Sequence, residues 1–268
     1  MKKLSSMIKN FRITRSVFSL PYVIFMMLFI LAPLVLILVN AFLAEGKVTF
    51  DNFVNFFTNR AGLTVLLNSL LVGVITTGLC LLIGYPAAYL LSKQSSGRIL
   101  VIFFMLPMWV NFLIRTLSTK AIFEAIGVEL GWFTVIFGMV YNYLPFMILP
   151  LHTALAGIDK SYAEAAADLG ANPVAAFVKT TLPMSVSGII SGITMVFVPT
   201  ISTFAITEIL SNRNIYLFGD SIQMKFLVSG DVGIGSVMSL IMLLFVLISN
   251  FILNRFHKKS ETKGKNVW

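Results

Sequence analysis

Glu208 sits in the apolar stretch PTISTFAITEIL. An ionisable side chain in such a run is costly unless it faces a bundle interior or a watery cavity. Trp109, Phe112 and Tyr143 offer ring faces, each able to hold a cation at ~0.5–2 kcal/mol. A carboxylate with aromatic walls suits contact with a cation. The plainer alternative places Glu208 at a helix end in the headgroup region. Other chemistry is sparse. There is no G-x-x-x-x-G-K-[ST] phosphate loop, since Gly264-Lys265 lacks the earlier glycine and the hydroxyl. The two histidines, His152 and His257, read as packing or interfacial residues. No Cys/His/Asp cluster has metal-ligand spacing, and no Ser-His-acid arrangement stands out. Cys80 is the single cysteine and permits no internal disulfide. The chain is expected to bind no cofactor or metal, and any ATP energy has to arrive from outside it.

The elements that must position these residues are membrane helices. Hydrophobic residues make up 57% of the 268 residues and charged ones 12%, with a mean hydropathy of +0.91. A soluble domain carries about 25% charged residues. A spanning helix needs about 20 mostly apolar residues. Six stretches meet that need: 17–42, 63–91, 99–117, 132–155, 184–208 and 234–253. The first exceeds the roughly 7–15 residues of a signal-peptide core, and no A-x-A site follows it. The expected organisation is all-α, with an N-terminal tail over 1–16, a six-span body over 17–256 and a C-terminal tail over 257–268. Pro21, Pro33, Pro86, Pro107, Pro145, Pro150 and Pro199 interrupt the runs, as membrane helices allow when neighbours satisfy the freed carbonyls. Gly188 and Gly192 form a G-x-x-x-G suited to close helix packing.

Lys and Arg set the orientation. The two tails and the 94–98 and 156–183 connections carry fourteen of the twenty, counting Lys93 with its loop and Arg255 with the C-terminal tail. The opposite side has six: Lys47, Arg60, Arg115, Lys120, Arg213 and Lys225. Both termini and the 161–183 loop are therefore expected in the cytoplasm. The net charge of +9 is then a topology signal and a contact for lipid headgroups, with no nucleic-acid role.

The 161–183 loop reads SYAEAAADLGANPVAAFVKTTLP. Ser161 with Glu164 is expected to form a capping box. Ala163, Ala165, Ala166 and Ala167 favour helix, and Gly170 falls where a left-handed residue would end it. Asn172 and Pro173 form a second N-terminus, and Pro183 marks entry to the fifth span. Two short, well-capped helices in a segment too polar to span lipid form a docking element.

These residues carry a family resemblance. Glu164-Ala165-Ala166, three residues, Gly170, then Leu182-Pro183 resembles the EAA loop of permease subunits of ABC importers. Thr180 stands where that family usually has Ile. Asn68-Ser69-Leu70, Gly84-Tyr85-Pro86-Ala87-Ala88-Tyr89 and Tyr143-Leu144-Pro145-Phe146 resemble its polyamine branch, the PotB-type spermidine/putrescine permeases. So does the run Leu106 to Arg115, similar to P-x-W-x-N-x-L-I-R, which adds Asn111 to the solute-path candidates Trp109, Phe112, Tyr143 and Glu208. The resemblance implies the type I permease fold, in which Ser161, Glu164, Ala165, Ala166, Gly170, Pro173, Leu182 and Pro183 would meet the ATPase. It also implies a PotC-type permease as second half, two copies of a PotA-type ATPase carrying ATP and Mg, and a PotD-type solute-binding protein. A permease for another solute, an ion-gradient transporter and a membrane enzyme are the alternatives. No clear internal repeat favours the second.

Overall fold

The computed structural model describes residues 15–44, 46–94 and 96–265. The expected tail over 1–16 therefore lies almost wholly outside the described residues. The described chain is helical apart from connections and a two-residue β-hairpin, β1 (Leu43–Ala44) paired antiparallel with β2 (Lys47–Val48). Helix α1 (Arg15–Met26) runs through a π turn into α2 (Ala32–Phe42), and α3 (Asp51–Thr58) leads to the long α4 (Arg60–Lys93). Then come α5 (Gly97–Trp109), α6 (Phe112–Ala125) and α7 (Trp132–Ala156). The loop region holds α8 (Ser161–Asp168), α9 (Pro173–Ala176), a second π turn and α10 (Leu182–Met184). The rest is α11 (Val186–Ser202), α12 (Ala205–Leu210), α13 (Phe218–Leu227) and α14 (Val232–Lys265).

Four helical stretches are long and apolar enough to cross a membrane: Leu20–Phe42, Arg60–Lys93, Trp132–Ala156 and Val232–Leu253. Two bent pairs bring the total to six when each counts as one span. The third expected span, read as one helix over 99–117, is instead broken between α5 and α6 by an 86° bend. The break has a local cause. Asn111 caps α6, its Oδ1 accepting from the Leu113 N–H at 2.9 Å, so helix geometry restarts there. The fifth expected span, 184–208, is likewise divided. It bends by 62° between α10 and α11, and α11 ends at Ser202 before α12 begins.

Both π turns, Met27–Leu31 and Phe177–Thr181, lie just before a proline, Pro33 and Pro183. A proline ring clashes with the carbonyl four residues earlier and supplies no N–H to it. Widening the turn relieves that clash, and the ladder closes instead from the Ala32 N–H to Met27 O and from the Leu182 N–H to Phe177 O.

The core is built where α4, α7 and α11 pack together. Cys80, Tyr85, Ala88 and Leu91 from α4 meet Met147, Ile148, Leu151 and Leu155 from α7 and Val196 from α11. Gly188 and Gly192 permit this approach. A Cβ on Gly188 would lie 2.5 Å from Ala154 Cβ, and one on Gly192 2.5 Å from Met147 Sδ. The G-x-x-x-G face is thus a packing face against α7. A second cluster joins α2, α3, α11, α13 and α14 through Ala41, Phe56, Ile201, Phe218 and Met238. By contrast, the most apolar window of Leu20–Phe42 has no buried residue. That surface is suited to lipid.

Candidate functional site

The 161–183 region has the geometry of a rigid helix–turn–helix. Its start differs from the expected capping box. Lys160 occupies the N-cap position, without a side-chain cap, and Ser161 is already helical. The reason is Asp159, whose Oδ1 accepts from the Ser161 N–H at 2.9 Å and starts the helix one residue early. The same N–H holds the Asp159 carboxyl below the usual carboxylate range. Glu164 is left exposed in the first turn.

The end of α8 follows from Gly170, whose φ is +82°. The Gly170 N–H donates to Ala167 O at 2.8 Å and the Ala171 N–H to Ala166 O at 3.0 Å. This double bond pattern closes the last turn of a helix through a left-handed residue. Asn172 then caps α9, accepting from the Ala175 N–H at 2.8 Å, with Pro173 at its first position.

Two helices this short are marginal alone. The second is anchored by Phe177, whose ring meets Tyr85 at 5.9 Å and Tyr89 at 5.1 Å, both edge-on. Ser185, just past Pro183, shares a 2.8 Å hydrogen bond with the Tyr85 hydroxyl. Helix α8 has no buried residue, and Leu169 at its end is 89% exposed, with Val174 at 70%. The apolar tip is thus presented outward from an anchored base. Phe177 was not singled out in the sequence, and Tyr85 and Tyr89 entered only through the family resemblance, although they stand one helical turn apart and so share a face.

The aromatic residues expected to accompany Glu208 are only partly brought to it. Trp109, Asn111, Phe112 and Tyr143 line one cleft of ≈ 600 Å³ at the bend between α5 and α6, together with Arg115, Asn142 and Thr203. Glu208 instead lines a separate cleft with Arg213, Tyr216 and Asp220. Residues 206 and 208 on α12 explain the separation. Ile206 points to the first cleft and Glu208 to the second, as residues two apart on a helix must. Glu208 Oε1 accepts from Arg213 Nη2 at 2.7 Å and Nε at 3.0 Å. Asp220, 5% exposed, accepts from the Leu217 N–H at 2.7 Å and caps α13. Arg115 and Asp220 were missed as cleft residues. A basic residue one turn past an Asn cap, and an acid in the first turn after Leu-Phe-Gly, are the signals that pointed to them.

Residues 5–262 match the family described as binding-protein-dependent transport system inner membrane component. The chain belongs to that family. It is a multi-pass inner-membrane transport component. Among its relatives is the spermidine/putrescine transport system permease protein PotB of Haemophilus influenzae, 34% identical over 261 residues, covering 88% of this chain and 91% of the relative. The PotB of Escherichia coli is 32% identical over 267 residues, covering 90% and 96%. Among solved structures, a bacterial alginate ABC transporter in complex with a pentasaccharide-bound periplasmic protein superposes with a TM-score of 0.64 at 18% identity, over 91% of this chain and 94% of the other. The MetNI methionine ABC transporter gives 0.58 at 16%, over 75% and 99%. The fold of this permease is therefore that of ABC importer permeases.

Proposed function

We propose that this permease is the PotB-type half of an ATP-driven importer of spermidine or putrescine. The observation that carries the reading is its identity of 31–34% with PotB proteins over about nine-tenths of its length. The partners of this reading are a PotC-type permease, two copies of a PotA-type ATPase holding ATP and Mg, and a PotD-type solute-binding protein. The exposed Leu169 tip and the 161–183 helices fit a groove on the ATPase, and the anchor through Phe177 transmits its closure to α4 as a tilt. Both termini and this loop face the cytoplasm, on the positive-inside distribution of Lys and Arg. The solute passes the ring faces of Trp109, Phe112 and Tyr143, with Asn111 beside them, while Glu208 supplies negative charge in the neighbouring cleft. The test is uptake of radiolabelled spermidine and putrescine into proteoliposomes holding the whole complex. Uptake that needs internal ATP and the binding protein supports the reading. Uptake driven by an ion gradient without ATP, or confined to another solute, refutes it.

A further inference from the structure

The cleft at the α5–α6 bend carries a charge, Arg115, that forms no ion pair among the described residues. Arg115 rises from the first turn of α6 with its Cζ 5.7 Å from the Tyr141 ring centroid. Its Nε and Nη1 are buried, and among the described residues neither has a hydrogen-bond partner. Asn142, 3% exposed, donates from Nδ2 to Gly138 O at 2.8 Å, and its Oδ1 likewise lacks a partner. Both side chains line the same cleft, and no Asp or Glu lines it with them. Its lip is apolar and open, with Trp109 78% exposed and Val110 47%.

A guanidinium held away from water calls for a counter-charge with matching hydrogen bonds. Arg is the side chain best shaped to take a carboxylate on two nitrogens. The solute of the proposed function cannot fill that role, because an ammonium group has the same sign as Arg115. Resting on that function, we infer that the cleft is an interface with the second permease, which seats an Asp or Glu carboxylate on Arg115. The Trp109–Val110 lip packs around the seated segment. The carboxylate neutralises Arg115 and removes the repulsive positive charge from this part of the shared path, where Asn142 Oδ1 is free to accept from a passing ammonium group. An open apolar lip, unpaired donors and the missing acid are thus one feature, half of a site whose other half lies on the partner.

The experiment uses the permease co-expressed with its second permease, purified as the pair. A photo-crosslinking phenylalanine replaces Val110, which is exposed and outside the cation-binding set. Crosslinking to the second permease is the expected result. Arg115→Gln should lower the co-purified second permease by at least about tenfold, and Arg115→Lys by less. Arg115→Glu should lose it too, and one Asp→Arg or Glu→Arg change in the second permease should restore pairing with Arg115→Glu. That rescue separates a charge pair from a mere folding defect. Crosslinks to lipid alone would assign Arg115 to a headgroup phosphate and overturn the inference. So would wild-type pairing in all three Arg115 variants, or the absence of any rescuing reversal. Wild-type uptake measured on the whole complex, with ATPase and binding protein reconstituted around the same permease pair, keeps the two proposals apart. Loss of ATP-driven polyamine uptake there removes the proposed function, whereas normal uptake with indifferent Arg115 variants removes only the interface.

Discussion

Burial pushes the Asp220 carboxyl up to about 7, and the charge of Glu208 adds to the rise, while the Leu217 N–H pulls the other way. The helix it caps lies in the connection between the fifth and sixth spans. The sign of the consequence follows from proton counting. An unfolded carboxyl loses its proton near the ordinary value of 3.8, whereas the folded one keeps it to about 7. Between those values the folded state binds more protons, so stability falls as pH rises, and above about 7 this contribution is flat. The thermal midpoint of the detergent-purified complex should therefore drop by a few degrees between about pH 5 and about pH 7.5. Asp220→Asn should flatten that slope, because the amide oxygen still accepts from the Leu217 N–H without ionising. A slope unchanged by Asp220→Asn would show that another group titrates. Glu208 behaves differently. Its pair with Arg213 is on the surface, with Arg213 74% exposed, and such pairs contribute about 0–1 kcal/mol. Removing the Glu208 charge should therefore leave the fold intact and act on Asp220 and on the solute.

Gly170 shows the same separation of fold from function for an element. No atom lies within 4 Å of the Cβ that a substitution would add there, so the penalty is one of backbone alone. A left-handed residue other than glycine costs about 1–2 kcal/mol, least for Asn. Gly170→Val should therefore misdirect α9 relative to α8 and abolish uptake with little change in membrane insertion, whereas Gly170→Asn should retain most activity. Glu164→Lys belongs to the same test. Because the capping box is not formed, its effect on stability is confined to the helix dipole, about 0.3–1 kcal/mol. A loss of uptake and of ATPase pull-down in Glu164→Lys then reports an external contact, and normal transport in both Gly170→Val and Glu164→Lys would exclude the loop as the coupling element. These details mark how far the sequence was legible. Hydropathy gave the apolar stretches, and Gly170, Asn172 and Pro173 gave the second half of the loop, because each acts through its own backbone. The bend at Asn111 was written in the sequence as an Asn cap but was masked by the apolar run around it. The Ser161 box failed because Asp159 competes for the same N–H. The division between the Trp109 and Glu208 clefts depends on how α12 lies among its neighbours, which no local pattern encodes.

For the whole molecule, the anchored loop, the clefts and the excess of positive charge make a consistent picture only in one orientation. In the proposed function the loop meets an ATPase in the cytoplasm, and the Glu208–Arg213–Asp220 cleft lies on the opposite side. The positive-inside rule predicts this orientation, since fourteen of twenty Lys and Arg residues fall on the loop side. The odd number of spans between loop and cleft agrees, α11 being the one crossing between them. Single-cysteine labelling tests it, after Cys80, which is buried, has been replaced by Ala. Cysteines at Gln94 and Val174 should react only with reagent admitted to the cytoplasmic side. Cysteines at Asn59, Glu129 and Asn214 should react from outside. All five positions are exposed, unlike Ser211, which is fully buried and hydrogen-bonded to Ile215. Labelling of Val174 from outside would put the loop on the wrong side for an ATPase and remove the coupling role. Labelling of Asn214 from the cytoplasm would break the single crossing of α11, leaving the Glu208 cleft on the exit side of the path, where it could not receive solute from a binding protein.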